Sequence, residues 1–139
     1  MRNFVLLLGA LALLGSCKKE ESSSSIQRTR WMLVQVEDFP VTLSSYSPTF
    51  SSYIQFNTDS KTEGLAPCNS FGGTYVLGTG TQLRITQQAS TRTTCAAQNI
   101  EDRYLNALPR TTRYEISGRE LRLFDAATPT PILVFSAAD

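Results

Sequence analysis

The sequence contains no histidine. Ser-His-Asp triads, Cys-His dyads and imidazole metal sites are therefore excluded. Charge of one sign is also missing: 13 basic residues face 12 acidic ones, a formal net charge of +1. That balance argues against a strongly basic face, and no nucleic-acid partner is expected. No long apolar run occurs either. The run Phe4 to Leu14 falls well short of the about 20 residues a spanning helix needs. No repeat of fixed period is visible. What is present is a chain of 139 residues, 41% of them hydrophobic. That suits one globular domain of ordinary size.

Phe4 to Leu14 has the length of a signal-peptide core, and Arg2 supplies a short basic start. Leu14-Gly15-Ser16-Cys17 follows and resembles a bacterial lipobox: an aliphatic residue, two small residues, then a cysteine whose thiol takes the lipid. The alternative is a plain secretory signal with a chance cysteine. Residues 1–16 are thus expected to be a lipoprotein signal peptide. Residues 17–27 would be the lipidated Cys17 and a flexible tether, and residues 28–139 the folded domain. Cleavage before Cys17 removes Arg2 and leaves the charges balanced. Lys18 to Ser25 has no apolar residue and cannot pack. Its Lys19-Glu20-Glu21 resembles the surface-export signal of some Gram-negative lipoproteins. The expected location is the bacterial cell envelope, held by lipid to the outer membrane, on either the periplasmic or the outer face.

Trp31 to Glu37 reads as a first strand, and Asp38 to Ser52, with Pro40 and Pro48, as a long loop. Tyr53 to Asn57 is a second strand, ended by a turn at Thr58 to Lys61. Ser70 to Leu77 and Gln82 to Thr86 form a hairpin around Gly78-Thr79-Gly80. Cys95 to Leu108 carries Ala97, Ile100, Tyr104 and Leu108 at spacings of three and four, one face of a helix. Thr93 or Thr94 would cap its start, and Pro109 fits its end. Arg113 to Ser117 and Glu120 to Phe124 alternate around a turn at Ser117-Gly118-Arg119. Pro131 opens a last strand through Phe135. Some seven or eight short strands and one helix predict an α+β fold. Its core would be a strongly curved antiparallel sheet, or a partly open β-barrel, with the helix packed across it.

The most distinctive stretch is Gly64-Leu65-Ala66-Pro67-Cys68-Asn69-Ser70-Phe71-Gly72-Gly73-Thr74-Tyr75. It resembles the META-domain family, the HslJ-like heat-shock lipoproteins of bacteria, at Cys68, Asn69, Phe71, Gly73 and Tyr75. Further matches keep the family's order: Trp31 and Leu33, Ile54 and Phe56, Ser90-Thr91 leading to Cys95, Leu108, Leu121 and Leu123, and Leu133 and Phe135. Pro67 and Thr93-Thr94 depart from it, where the family has Gly and Met-Ala. The resemblance spans roughly residues 26–136 and implies an envelope association linked to heat shock. The residues themselves suggest mostly structural roles. Gly73 would let a curved strand bend. Asn69 tolerates positive φ and can bond its own backbone. Phe71 and Tyr75 share one face and would bury there.

With Cys17 spent on lipid, Cys68 and Cys95 are an even pair in an oxidising space, and a disulfide is expected. The chain-entropy model assigns it roughly 3.5 kcal/mol. Two buried thiols or a redox-active pair are the alternatives. Metal binding is not expected, because structural zinc wants four ligands. No catalytic residue, metal or cofactor is assigned. Glu101, Asp102, Glu115 and Glu120 read as solvated charges. The serines have no base to activate them. Gly78-Thr79-Gly80 is not a phosphate loop, since no helix follows. Arg110, Arg113, Arg119 and Arg122 form a late basic cluster that could meet anionic headgroups or nucleotides, though solvated strand faces are the simpler reading.

These observations favour a non-enzymatic, monomeric envelope lipoprotein. Its membrane partner is reached through the N-terminal lipid, and its domain would bind another envelope protein, in connection with envelope stress. Phe39, Tyr46 and Phe50 in the long loop would offer a contact surface. The alternative is a carrier whose barrel encloses a small apolar ligand, such as an acyl chain, lined by Phe56, Phe71, Tyr75 and Tyr104.

Overall fold

The computed structural model describes residues 25–41 and 52–139. Among the described residues, nine strands, one α-helix and one 3-10 turn follow in the order β1 (Arg30–Val36), β2 (Phe39–Pro40), β3 (Tyr53–Phe56), β4 (Lys61–Leu65), β5 (Ser70–Leu77), β6 (Leu83–Ser90), α1 (Gln98–Ala107), the 3-10 turn (Leu108–Arg110), β7 (Arg113–Ser117), β8 (Glu120–Phe124) and β9 (Leu133–Ala137). Eight strands make one antiparallel sheet in the order β6-β5-β4-β3-β1-β9-β8-β7, and the two-residue β2 pairs with β1. The sheet curls until its outer strands meet. Gln82 bridges to Arg113, Leu83 N–H donates to Thr112 O at 3.1 Å, and Tyr114 N–H donates to Thr81 O at 2.9 Å. The predicted curved, partly closed barrel with one helix is the architecture found.

Antiparallel order puts the connections at two ends. The β3–β4, β5–β6 and β7–β8 turns share one end with residues 25–29, where the chain enters the barrel. The β4–β5 connection, α1 and the β8–β9 connection share the other. These are called the entry end and the helix end. Inward residues of every strand build one core, with Trp31, Ile54, Phe56, Leu83, Ile85, Leu121, Leu123, Leu133 and Phe135 all buried.

Several expectations need correction. The segment Lys61–Leu65 is a strand that the hydrophobic pattern does not announce, because its buried positions are Thr62 and Gly64. α1 starts at Gln98, three residues later than expected, and neither Thr93 nor Thr94 caps it. Ala97 is the N-cap and makes no side-chain bond. Both threonines lie too far before the first turn, and Thr93 is held through its N–H and C=O by Asn69. α1 does end just before Pro109, which lies in the 3-10 turn that follows it. The last strand begins at Leu133 rather than Pro131, although Ile132 is already bonded on both sides, to Leu123 and Glu37. Among the described residues, Ile26 is already buried and Gln27 already bridges to Phe56. Residues 42–51 of the expected long loop, with Tyr46 and Phe50, lie outside the described residues, as do the signal peptide, Cys17 and the Lys19-Glu20-Glu21 segment.

Candidate functional site

β5 carries the distinctive motif, and alternation turns Phe71 and Tyr75 into the barrel. Phe71 pairs across the sheet with Gly64, and the fit is tight. A Cβ at Gly64 would sit 2.2 Å from Phe71 Cζ and 2.5 Å from Tyr53 O, so the glycine makes room for the ring. Phe71 then meets Tyr104 of α1 edge-on at 5.5 Å, and Tyr104 meets Phe135 at 6.1 Å. Tyr75 meets Phe56 edge-on at 5.1 Å. The four aromatics proposed to line a cavity are thus packed against one another or against the core. Tyr104 Oη has no partner, and burial pushes its phenol well above the usual tyrosine range.

Gly73 also has no room for a side chain. It faces a bulge on β6, where Gln87 takes a φ of 52°. A Cβ there would meet Gln88 Nε2 at 2.2 Å and Thr86 O at 2.7 Å. Close approach, not a bend at the glycine itself, excludes a side chain at this position.

Asn69 does not adopt positive φ. It is instead a buried junction between three segments. Its Nδ2 donates to Thr93 O at 2.8 Å and to Glu101 Oε1 at 2.5 Å. Its Oδ1 accepts from Thr91 Oγ1 at 2.9 Å and from Thr93 N–H at 2.6 Å. Every hydrogen-bonding group of the side chain is occupied.

The largest correction concerns Glu101. Read from sequence as a solvated charge, it is 2% exposed. Its Oε2 accepts from the backbone N–H groups of Cys68 at 2.6 Å and Asn69 at 2.9 Å, while Oε1 takes Asn69 Nδ2. The carboxylate ties α1 to the β4–β5 connection. The Cys68–Cys95 disulfide, joining residues 27 apart, fastens the same connection beside it. A signal for Glu101 was present: it stands on the helix face of Ala97, Tyr104 and Leu108, and a carboxylate in an apolar stripe needs donors. A cleft of about 300 Å³ lies over this junction, lined by Thr91, Arg92, Thr94, Gln98, Asp102 and Leu105 among others.

Arg92 and Asp102 are the other titratable groups that line it, and the remaining charged pairs lie elsewhere. Arg110 donates to Glu37 at 3.0 Å and to Asp125 at 2.8 Å, and Arg103 donates to Glu37 at 3.1 Å. Arg113 pairs with Glu115, Arg119 with Asp139 and Arg122 with Glu120. The four late arginines are therefore paired one by one and do not form a free basic patch. The Asp125 carboxyl is held below the usual carboxylate range by the Arg110 guanidinium, with help from the Thr128 and Ala127 N–H groups. No group of three or more metal-ligating side chains occurs among the described residues.

This is the arrangement of a structural junction: a buried carboxylate and amide whose valences are spent on each other and on backbone. The META domain family matches residues 24–138, and the chain belongs to that family. The fold is similar to the NMR structure of a protein from Burkholderia xenovorans, with 23% identity, a TM-score of 0.64, and coverage of 81% of this chain and 83% of that one. No curated protein matches the chain.

Proposed function

We propose that this chain is an envelope lipoprotein, anchored through Cys17 to the outer membrane, whose META domain is a non-enzymatic module for binding another envelope protein. The observation that carries the reading is the inward closure of the family motif. Asn69 and Glu101 have no group left for a substrate, so recognition falls to the surface. The Cys68–Cys95 bridge supports an exported setting and leaves Cys17 as the cysteine outside it. Phe39 supports a protein contact: its ring is 44% exposed, with the Arg103 guanidinium 4.4 Å from its centroid. A link to envelope stress, with expression rising on heat shock, belongs to the same reading.

The test is a photo-crosslinking residue at position 39 of the full chain, made in its own cell type. One discrete crosslinked envelope protein is expected; no crosslink from this position would overturn the binding module. A native mass spectrum of the extracted protein provides the contrast. An added mass of a few hundred daltons, lost on denaturation and without a crosslink, would replace the binding module by a carrier of an apolar ligand.

A further inference from the structure

Both ends of the barrel leave apolar side chains in water: Phe39 at the helix end, and two neighbouring residues of one hairpin at the entry end. Val76 and Leu77, the last residues of β5, are 63% and 38% exposed. Val76 pairs with Arg84 on the outer face; Leu77 pairs with Leu83 and shares the face of Phe71 and Tyr75, carrying that row past the rim. From Val76 to Leu83 the hairpin holds no charged residue. Basic residues stand around it. Arg84 is opposite Val76, the backbone N–H of Arg28 is bonded to Phe56 O at the same end, and Lys61 is opposite Thr74 and shares its charge with Asp59.

The chain enters the domain beside this tip. Gln27 bridges to Phe56, and its Nε2 donates to Tyr75 Oη at 2.7 Å. Tyr75 Oη in turn donates to Asn57 O at 2.6 Å. Even fully extended, the chain from Cys17 to Ser25 reaches at most about 30 Å. Anything that holds Cys17 at a bilayer therefore holds the entry end near it. Two apolar side chains bind a membrane weakly by themselves. A tether of this length turns their insertion into an intramolecular step, where weak contact suffices.

We propose that the β5–β6 hairpin tip is a membrane-docking element. Val76 and Leu77 enter the interfacial layer of the bilayer that holds the N-terminus, with Arg28 and Arg84 at headgroup level. The entry end then faces lipid, and the helix end with Phe39 faces away, toward the partner. The inference rests on the anchored reading above, and its test separates the two.

Val76→Trp and Val34→Trp are made in the full chain. Both replace an exposed valine, Val34 being 41% exposed on β1, so the affinity of tryptophan for interfaces is common to both. Each protein is purified from the membranes of the cells that make it. It is then reconstituted into phosphatidylethanolamine–phosphatidylglycerol vesicles with brominated acyl chains. Buried Trp31 gives both the same background. The Val76→Trp emission is expected to move to the blue and lose at least about half its intensity, while Val34→Trp changes little. Equal quenching of both, or of neither, overturns the docking. Mass analysis of the N-terminal peptide separately reads whether Cys17 carries lipid. A lipidated Cys17 with an unquenched Val76→Trp defeats the docking and leaves the anchor standing. A quenched Val76→Trp without lipid defeats the anchor and leaves the docking.

Discussion

The two ends of the barrel face the same problem and meet it with different chemistry. At the helix end, closure is covalent and ionic. The Cys68–Cys95 bridge, the Glu101 carboxylate and the Glu37–Arg110–Asp125 chain connect segments far apart in sequence. At the entry end, a short N-terminal segment does the work. Ile26 is buried, its carbonyl accepts from Trp31 Nε1 at 3.0 Å, and Gln27 joins Tyr75. The difference teaches where the molecule can open. Several independent links hold the helix end, while the entry end depends on one short segment that local opening can release.

The sharpest way to break this comparison is at Glu101. In Glu101→Ala, the N–H groups of Cys68 and Asn69 and the Asn69 amide lose their acceptor inside the protein. The loss expected is about 4 kcal/mol, the scale for breaking a buried charged cluster on one side. Glu101→Gln keeps the shape but turns an amide NH₂ toward donors, and it should cost about half as much. Urea unfolding with an unchanged slope measures both. A midpoint within error of the parent for Glu101→Gln would mean that the disulfide and the Glu37–Arg110–Asp125 chain hold this end without the carboxylate.

Ile26→Ala tests the other end. Removal of a buried branched side chain costs about 2 kcal/mol at the low end of the core range. The distinguishing readout is local. Amide exchange should quicken at residues 26–28 and at their partner Phe56, and stay unchanged at Cys68, Asn69 and the first turn of α1. Faster exchange at both ends would show that the entry segment is part of the global unit.

How much of this was legible follows from what each residue touches. Strands β5, β7 and β8 were readable because their inward positions hold Phe71 and Tyr75, Tyr114 and Ile116, and Leu121 and Leu123. β4 was not, because its inward residues are Thr62 and a Gly64 whose missing side chain is filled by Phe71 from the next strand. That compensation is tertiary and leaves no local trace. The Cys-Asn motif pointed to the right segment, and its cysteine pairing was readable from the cysteine count and the expected oxidising setting. Asn69 was misread as a turn former because an asparagine satisfies a backbone far away as readily as its own. Glu101 was misread because carboxylates on helices are usually solvated; only its position on the Tyr104 face marks it as different. The late arginines clustered in sequence, and Arg113 and Arg122 do share the outer face of β7 and β8, but each late arginine is paired with a carboxylate that the sequence does not assign to it.

The smallest effect sharpens the comparison through pH. Asp125 caps the turn after β8, accepting from Ala127 and Thr128 N–H, and pairs with Arg110. Its folded pKa lies below the unfolded value of about 3.9, chiefly because Arg110 donates to it. A carboxyl with a depressed folded pKa binds fewer protons when folded. Its stabilisation is therefore complete above about pH 4 and fades as pH falls through the lower folded value. Arg110 is shifted the other way, raised first by its bond to Asp125, so its contribution is lost only in strong alkali and adds no acid limb. Asp125→Asn keeps the turn acceptor and removes the charge. Because Arg110 is half exposed, the cost near neutral pH is expected to be about 1 kcal/mol. The gap between parent and variant should narrow steadily below about pH 4. A gap that stays constant from neutral pH to pH 2 would assign the effect to the turn alone, and would remove the ionic chain from the account of how the helix end is held.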